Sequence, residues 1–368
     1  LKHLKKEHNM NHGQYRIASK LVEMIHQDFQ GFHPGYRDVH ASGRYYAGTF
    51  KATPEAMKLS RAIHLQGDTV PVTVRHSNSR SGNPWGPATT ASMAVRFYLP
   101  DGTVTDLVAL PIPLFFARTP DETLEFLEAV RPDPTTGQPD PNRLGPFFAS
   151  HPWVARAVHL AKSLPASVSL AQTAFHMLHA FRFVNEADET QYARYHWEPE
   201  AGVAGQSLED LQKHPPSHLF EELEERLRKA PVVFNLILQL AGDGDPLDDP
   251  SAPWPDDRPR VRIGQLRILR TTTVEEIGDP VMMHDPTRLT DGIEPSDDPV
   301  LAARRGVYEV SVAYRTGGWK GRQAAWERAG ICPFGGASKE TPREQESNSR
   351  DHAAVVGCDD VRSGVKDQ

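Results

Sequence analysis

The stretch SMAVRFYLPDGTVTDLV, Ser92 to Val108, puts Met93, Val95, Phe97 and Leu99 on one face, turns at Asp101-Gly102 and resumes at Val104. Period-two alternation on both sides of an Asp-Gly turn specifies a β-hairpin. A hairpin leaves two unpaired edges, so the rest of the chain must supply neighbours for them. Strand patterns recur at Gly43 to Phe50 and in PVTVRHS, FRFVN, QYARYHW, VVFNLILQL and VRIGQLRIL. In PVTVRHS, Val72 and Val74 take one face while Thr73 and Arg75 take the other. In VRIGQLRIL the alternation slips by one across Gly264-Gln265, as a β-bulge causes. With the hairpin these make about eight strands, the number at which a closed barrel is just filled by its own side chains.

Helical patterns interrupt the strands. QYRIASKLVEMIHQDF, Gln14 to Phe29, carries an apolar stripe through Ile17, Leu21 and Met24 or Ile25. TPEAMKLSRAI starts with Thr53 as N-cap and Pro54 at the first helical position. TPDETLEFLEAV repeats the device at Thr119, with Glu122 completing a capping box. The fold class is therefore α+β: an antiparallel eight-stranded β-barrel with helical insertions and flanking helices. No glycine-rich phosphate loop follows any strand, which removes the nucleotide-binding classes. Residues 1–12 read as an arm, residues 13–318 as one domain, and residues 319–368, which lose periodicity, as a disordered polar tail. GDGDPLDDPSAPWPDDRPR lacks the residue order and closing Glu of a calcium loop and reads as a rigid surface loop.

A net charge of −7 provides no basic field for nucleic acid or anionic lipid. No apolar run reaches the ~20 residues that span a bilayer. The expected partners are thus small molecules, with homo-oligomerisation left open. Cys332 and Cys358 match no metal or disulfide framework, which suits a reducing, cytoplasmic compartment. The start on Leu1 leaves room for a removed leader, and so for a periplasmic or secreted site.

In LAARRGVYEVSVAYR, Arg304, Tyr308 and Arg315 lie along one side of a helix that Asp298-Pro299 opens. Singly, each candidate has an ordinary structural role: Tyr308 as a core aromatic, Asp298 as an N-cap, His40 as a strand-end histidine. His176 and His179 have the i,i+3 spacing of a helical zinc pair, but no third ligand stands nearby. The order of the pieces says more. RDVHASG, VTVRHSN, MAVRFYLPDGTVTDLVALPIPLFF, HAFRFVN, PWPDDRPRVRIGQLRI and GIEPSDDPVLAARRGVY follow one another between Gly31 and Arg315. In that order they resemble the haem catalase family, and the short chain resembles its compact branch, the catalase-related peroxidases.

The resemblance implies a catalase-like core and a haem b held without covalent attachment, since no C-x-x-C-H is present. It makes Tyr308 the axial ligand of the haem iron, its metal-binding residue. A phenol must ionise to serve, and its unperturbed pKa is ~10. Arg304 at i−4 supplies a guanidinium that favours the phenolate. His179 and Asp298 would extend a polar relay behind Arg304. On the other face the resemblance assigns His40 as the catalytic base, taking a proton from bound peroxide and returning it to the departing oxygen. Ser77 would orient His40, and Val39 would pack over the porphyrin. Arg37, Arg75 and Arg315 match the family's propionate-binding arginines, because buried carboxylates need charged partners.

One departure bears on activity. Where catalases carry a distal asparagine, DLVALPIPLFF offers Leu110, flanked by Ala109 and Pro111. The carboxamide helps hold the second peroxide, whose oxidation releases dioxygen. The expected activity is therefore peroxidase turnover of hydrogen peroxide or organic peroxides with organic electron donors, with weak catalase activity. The alternative is a hydroperoxide-rearranging haem enzyme of the allene oxide synthase type, with Leu110, Ile112, Phe115 and Phe116 lining a lipid channel.

Overall fold

The computed structural model describes residues 12–26, 37, 39–79 and 90–329. In chain order the elements are α1 (His12–Ile25), β1 (Gly43–Ala52), α2 (Pro54–Leu59), β2 (Thr69–Ser79), β3 (Thr90–Tyr98) and β4 (Val104–Ala109). A helical insertion follows: α3 (Pro120–Ala129), α4 (Pro141–Ser150) and α5 (Pro152–Ser163). Then come β5 (Ala166–Ser167), β6 (Phe175–His176), β7 (Phe181–Val184), β8 (Thr190–Pro199), β9 (Gly205–Gln206), α6 (Leu208–Gln212), α7 (His218–Leu227), β10 (Val232–Leu240) and β11 (Arg260–Thr272). The chain continues through α8 (Val274–Ile277), β12 (Ile293–Pro295) and α9 (Pro299–Ala329).

The main sheet is antiparallel and runs β12-β7-β8-β10-β11-β1-β2-β3-β4, with β6 also paired to β8. It curls. Leu110, just past β4, exchanges two backbone hydrogen bonds with His176 of β6, of 3.0 and 2.6 Å. Pairings thus pass around a ring from β8 through β10, β11, β1, β2, β3, β4 and β6 back to β8, which are the eight strands of the barrel. β11 supplies much of the bend. Its register slips at Ile263 against β10 and at Leu269 against β1, so the sequence-predicted bulge lies one residue earlier than Gly264-Gln265 and has a second partner downstream. Gly264 itself admits the ring of Phe50, which a Cβ there would meet at 2.1 Å.

Alternation sorts the side chains as the patterns predict. Phe50, Val72, Val74, Met93, Val95, Phe97, Leu107, Tyr195, Trp197 and Phe234 fill the barrel, all buried. Phe50 packs edge-on against Phe97 and Trp197 at 5.2 and 6.3 Å, the geometry aromatic quadrupoles prefer. On the outer face of β2, Thr69 and Pro71 are exposed, but Thr73, Arg75 and Ser77 are buried. The Arg315 guanidinium of α9 is close enough to that face to be felt at Arg75.

Several local expectations change. The stretch containing His176 and His179 is not helical: His176 lies in β6, and its Nδ1 is 2.7 Å from Nδ1 of His196. No group of three metal-ligating side chains occurs among the described residues, and the zinc reading falls. Thr53 does not cap α2 with its side chain; the hydroxyl donates to Arg262 O at 2.8 Å and ties α2 to β11. Thr119 does cap α3, but Glu122 accepts from the Arg118 amide rather than closing a box on Thr119. The acidic, Pro-rich loop is anchored by an Asp245–Arg258 ion pair and by Trp254, which is 5% exposed and donates to Pro246 O. α9 continues past Gly318 to Ala329; the arm up to residue 11, residues 27–36 and residues 330–368, with both cysteines, lie outside the described residues. No helix is long and apolar enough to cross a membrane, among the residues described.

Candidate active site

α9 has two working faces. Val310 and Tyr314 pack with Ala18 and Val22 of α1. The other side carries Arg304, Tyr308 and Arg315. Its N-terminus explains the local geometry: Oδ1 of Asp298 accepts from the amides of Val300 and Leu301 at 2.8 and 3.2 Å, the N-cap expected of this residue. The second oxygen, Oδ2, meets Nδ1 of His179 at 2.6 Å. One carboxylate therefore performs both tasks that the sequence suggested.

The relay then assigns its own protons. A carboxylate only accepts, so His179 donates from Nδ1 and must accept at Nε2. There it meets Nη1 of Arg304 at 3.0 Å. Burial keeps His179 below its ordinary pKa despite the Asp298 bond, consistent with a neutral ring. The guanidinium, held from behind, donates from Nε and Nη2 to the Tyr308 oxygen at 3.0 and 2.5 Å. Two charge-assisted donors converge on one phenol oxygen and fix its position. Asp298→Ala should cost about 3 kcal/mol in thermal or denaturant unfolding, combining a lost cap with a broken buried pair. Asp298→Asn, which retains the capping oxygen, should cost less.

The outer face of the barrel lies opposite. Register puts Gly43, Ser77 and Ser92 in one row across β1, β2 and β3. Since Met93 pairs with Ala109, Leu110 continues that row beside Ser92. The neighbouring row holds Tyr45, Arg75 and Ala94. Gly43 is required for the crossing between rows: a Cβ there would lie 2.5 Å from the Arg75 guanidinium. That guanidinium donates to His40 O at 2.8 Å. His40 itself sits at φ +57°, a left-handed conformation that costs a side-chain-bearing residue ~1 kcal/mol or more. Its Nδ1 is buried without a hydrogen-bond partner, and burial, then Arg75, Arg37 and Arg304, hold its pKa down to about 3. The charge of Arg304, on the tyrosine helix, is thus felt at His40 on the barrel side.

Ser77 does not contact His40 as expected. Its hydroxyl pairs with that of Ser92 at 2.6 Å, because β2–β3 register sets the two side by side. Val39 is 42% exposed, so protein covers little of it. The three expected arginines do converge. Arg37 and Arg315 both donate to Met282 O, the latter at 3.2 Å, and Arg315 also donates to Val281 O. Arg75 is buried with its Nε unpartnered, and burial followed by Arg37 and Arg315 depresses its pKa to about 9. Burial of Tyr45 opposes its ionisation, yet Arg37, Arg75 and Arg315 pull its pKa below the usual phenol value. Positive charge crowded this way calls for an anion.

These residues fit a haem. Tyr308 offers an oxygen braced by Arg304, Arg37, Arg75 and Arg315 form a group of cations to which carboxylates could bind, and His40 is a neutral imidazole. Sequence reasoning missed Tyr45, Ser92 and His284. Alternation places Tyr45 on the Arg75 face and could have found it; Ser92 needs the strand register, and His284 lies in a segment without periodicity.

The comparisons agree with this geometry. The family model described as catalase matches residues 19–329. A catalase-related peroxidase of Mycolicibacterium paratuberculosis is 42% identical over 300 residues, covering 80% of this chain and 93% of the relative. One from Synechococcus elongatus is 35% identical over 292 residues, covering 78% and 86%. A fungal catalase structure matches with TM-score 0.68 at 20% identity, covering 82% of this chain and 63% of that one. A bacterial catalase structure matches with TM-score 0.67 at 20% identity, covering 87% and 64%. This chain therefore spans less than two thirds of either solved catalase, and at such identity the likeness is one of fold. The barrel, the braced tyrosine and a family match that runs from α1 to the end of α9 lead to one conclusion: the chain belongs to the catalase family.

Proposed function

We propose that this catalase-family enzyme is a haem-dependent oxidoreductase that reduces hydrogen peroxide or organic peroxides with organic electron donors, and dismutates hydrogen peroxide only weakly. The observation that supports the second half is Leu110, which continues the Ser77–Ser92 row and, by the resemblance, stands where catalases carry the distal asparagine. Tyr308 and Arg304 would hold the iron side of the haem, Arg37, Arg75 and Arg315 its carboxylates, and Val39 its distal face. The bound haem supplies a Lewis-acidic, redox-active iron against which a peroxide O–O bond is polarised. The chain's own residues do the proton work. His40, neutral because it is buried among cations, accepts a proton from the near oxygen of peroxide and returns it to the departing oxygen. Arg75 holds the His40 carbonyl and thereby the backbone turn that aims the ring.

Leu110→Asn tests the reading. Restoring one donor at a developing charge is worth about a hundredfold, so oxygen release from hydrogen peroxide should rise by about that factor. Oxidation of an organic donor should change little. Rapid oxygen evolution by the unaltered enzyme, or none gained by the variant, would refute the assignment of Leu110. The rearranging alternative is not favoured: the curated relatives carry the name of a peroxidase. The apolar residues named for its channel, Leu110, Ile112, Phe115 and Phe116, are half-buried side chains of the segment after β4, with the Phe115 and Phe116 rings tilted against each other at 4.4 Å.

A further inference from the structure

His284 stands in an irregular segment between α8 and β12, and nothing in the mechanism above uses it. That segment is unusually well held. Met282 O accepts from Arg37 and Arg315, and Met283 O accepts from Arg96 and, at 3.3 Å, from Arg288. The Asp285 amide donates to Asp106 Oδ2 at 3.0 Å, and Asp106 in turn pairs with both Arg96 and Arg288. Four guanidiniums and a buried carboxylate therefore lock the backbone on either side of His284. The imidazole between them is 5% exposed, and its Nε2 is buried with no hydrogen-bond partner. The charged groups felt at the ring are Arg37, Arg96, Arg75 and Arg288.

A buried, unpartnered ring nitrogen costs ~1–3 kcal/mol, and a rigid segment cannot relax to satisfy it. Burial first, and then the cations around it, keep the ring neutral, so it retains one N–H. Two of the cations around it, Arg37 and Arg75, are those assigned to the haem carboxylates. An anion placed between them would come within reach of the His284 donor as well. We propose that His284 is a fourth carboxylate-binding residue of the haem site, donating a neutral N–H···O bond to a propionate beside Arg37 and Arg75. The role rests on the haem reading above. It differs in kind from the arginines: a neutral donor adds a directional bond without further crowding three cations.

The test measures haem retention rather than turnover. Holoenzyme is mixed with excess apomyoglobin, and haem transfer is followed in the Soret band for the unaltered protein, His284→Phe and His284→Gln. His284→Phe, which fills the space without a donor, should release haem about tenfold faster, the effect of losing one hydrogen bond to a charged group. His284→Gln, which keeps an N–H, should stay within about threefold of the unaltered protein. Should the phenyl ring not pack, His284→Met gives the same donor-free comparison. Reconstitution with haem dimethyl ester, whose carbonyl oxygens are uncharged and weaker acceptors, should shrink the difference between the variants. Equal release by all three proteins, or a difference that is undiminished with the ester, would overturn the proposal. Failure of the unaltered protein to take up haem at all would instead overturn the haem reading on which it rests.

Discussion

Tyr308→Phe is expected to lose more than a hundredfold in haem affinity and peroxide turnover, and to change the Soret and visible bands of whatever haem it keeps. Removing an outer partner of a metal ligand typically costs 10–100-fold, and on the proposed reading this variant removes the ligand oxygen itself. The phenyl ring still fills the same volume against the barrel, so the fold should persist. Arg304 is the part left exposed by the change. Its Nε and Nη2 donors lose their acceptor while His179 and Asp298 continue to hold Nη1 from behind. Two hydrogen bonds to a part-buried guanidinium are lost, and Tyr308→Phe should also melt lower than the unaltered apoprotein. Absorption spectra and melting curves of the two proteins, side by side, check both effects. An unchanged spectrum would remove Tyr308 from the iron.

His40→Ala should slow the first step with peroxide about a thousandfold while leaving haem binding and its spectrum in place, because a positioned base contributes ~10²–10⁴. The pH profile adds a sharper check. An ordinary histidine titrates near 6.5, but burial, then Arg75, Arg37 and Arg304, hold this one to about 3. Acceptance of a proton requires the neutral ring, so activity is present above the folded pKa and lost as pH falls through it. Bound carboxylates would counter Arg37 and Arg75 without removing the larger cause, burial. The stopped-flow rate constant should therefore be flat between about pH 5 and pH 8. A decline centred near 6.5 would show that His40 is solvated and not the base described here.

The parts of this protein that were legible along the chain are those set by local periodicity or by a short helical spacing. Alternation in β2 and β3 put Val72, Val74, Met93, Val95 and Phe97 inside the barrel, and it put Arg75 on the opposite face. The i,i+4 spacing of Arg304 and Tyr308 is a contact that any regular helix makes. Asp298 before Pro299 announced a helix start, and it is one. Where reading went astray, a competing local pattern was the cause. The spacing of His176 and His179 imitates a helical face, but their segment is fixed by pairing to β8 and to Leu110, partners distant in sequence. Thr53 looked like a cap because the motif is right, yet a strand more than two hundred residues later offers its hydroxyl a better acceptor.

By itself, then, the order of residues determined which faces of strands and of the last helix are apolar, and which side chains on them are candidates for the family's chemistry. Only the tertiary structure decided which of those side chains meet. His179 reaches Asp298 and Arg304, Ser77 turns to Ser92 instead of His40, and His284 lies near Arg37, Arg75, Arg96 and Arg288. The physical reason is that periodicity follows from backbone geometry within a few residues. A hydrogen bond between groups a hundred residues apart depends on strand register, bulges and barrel closure, which the whole chain settles together.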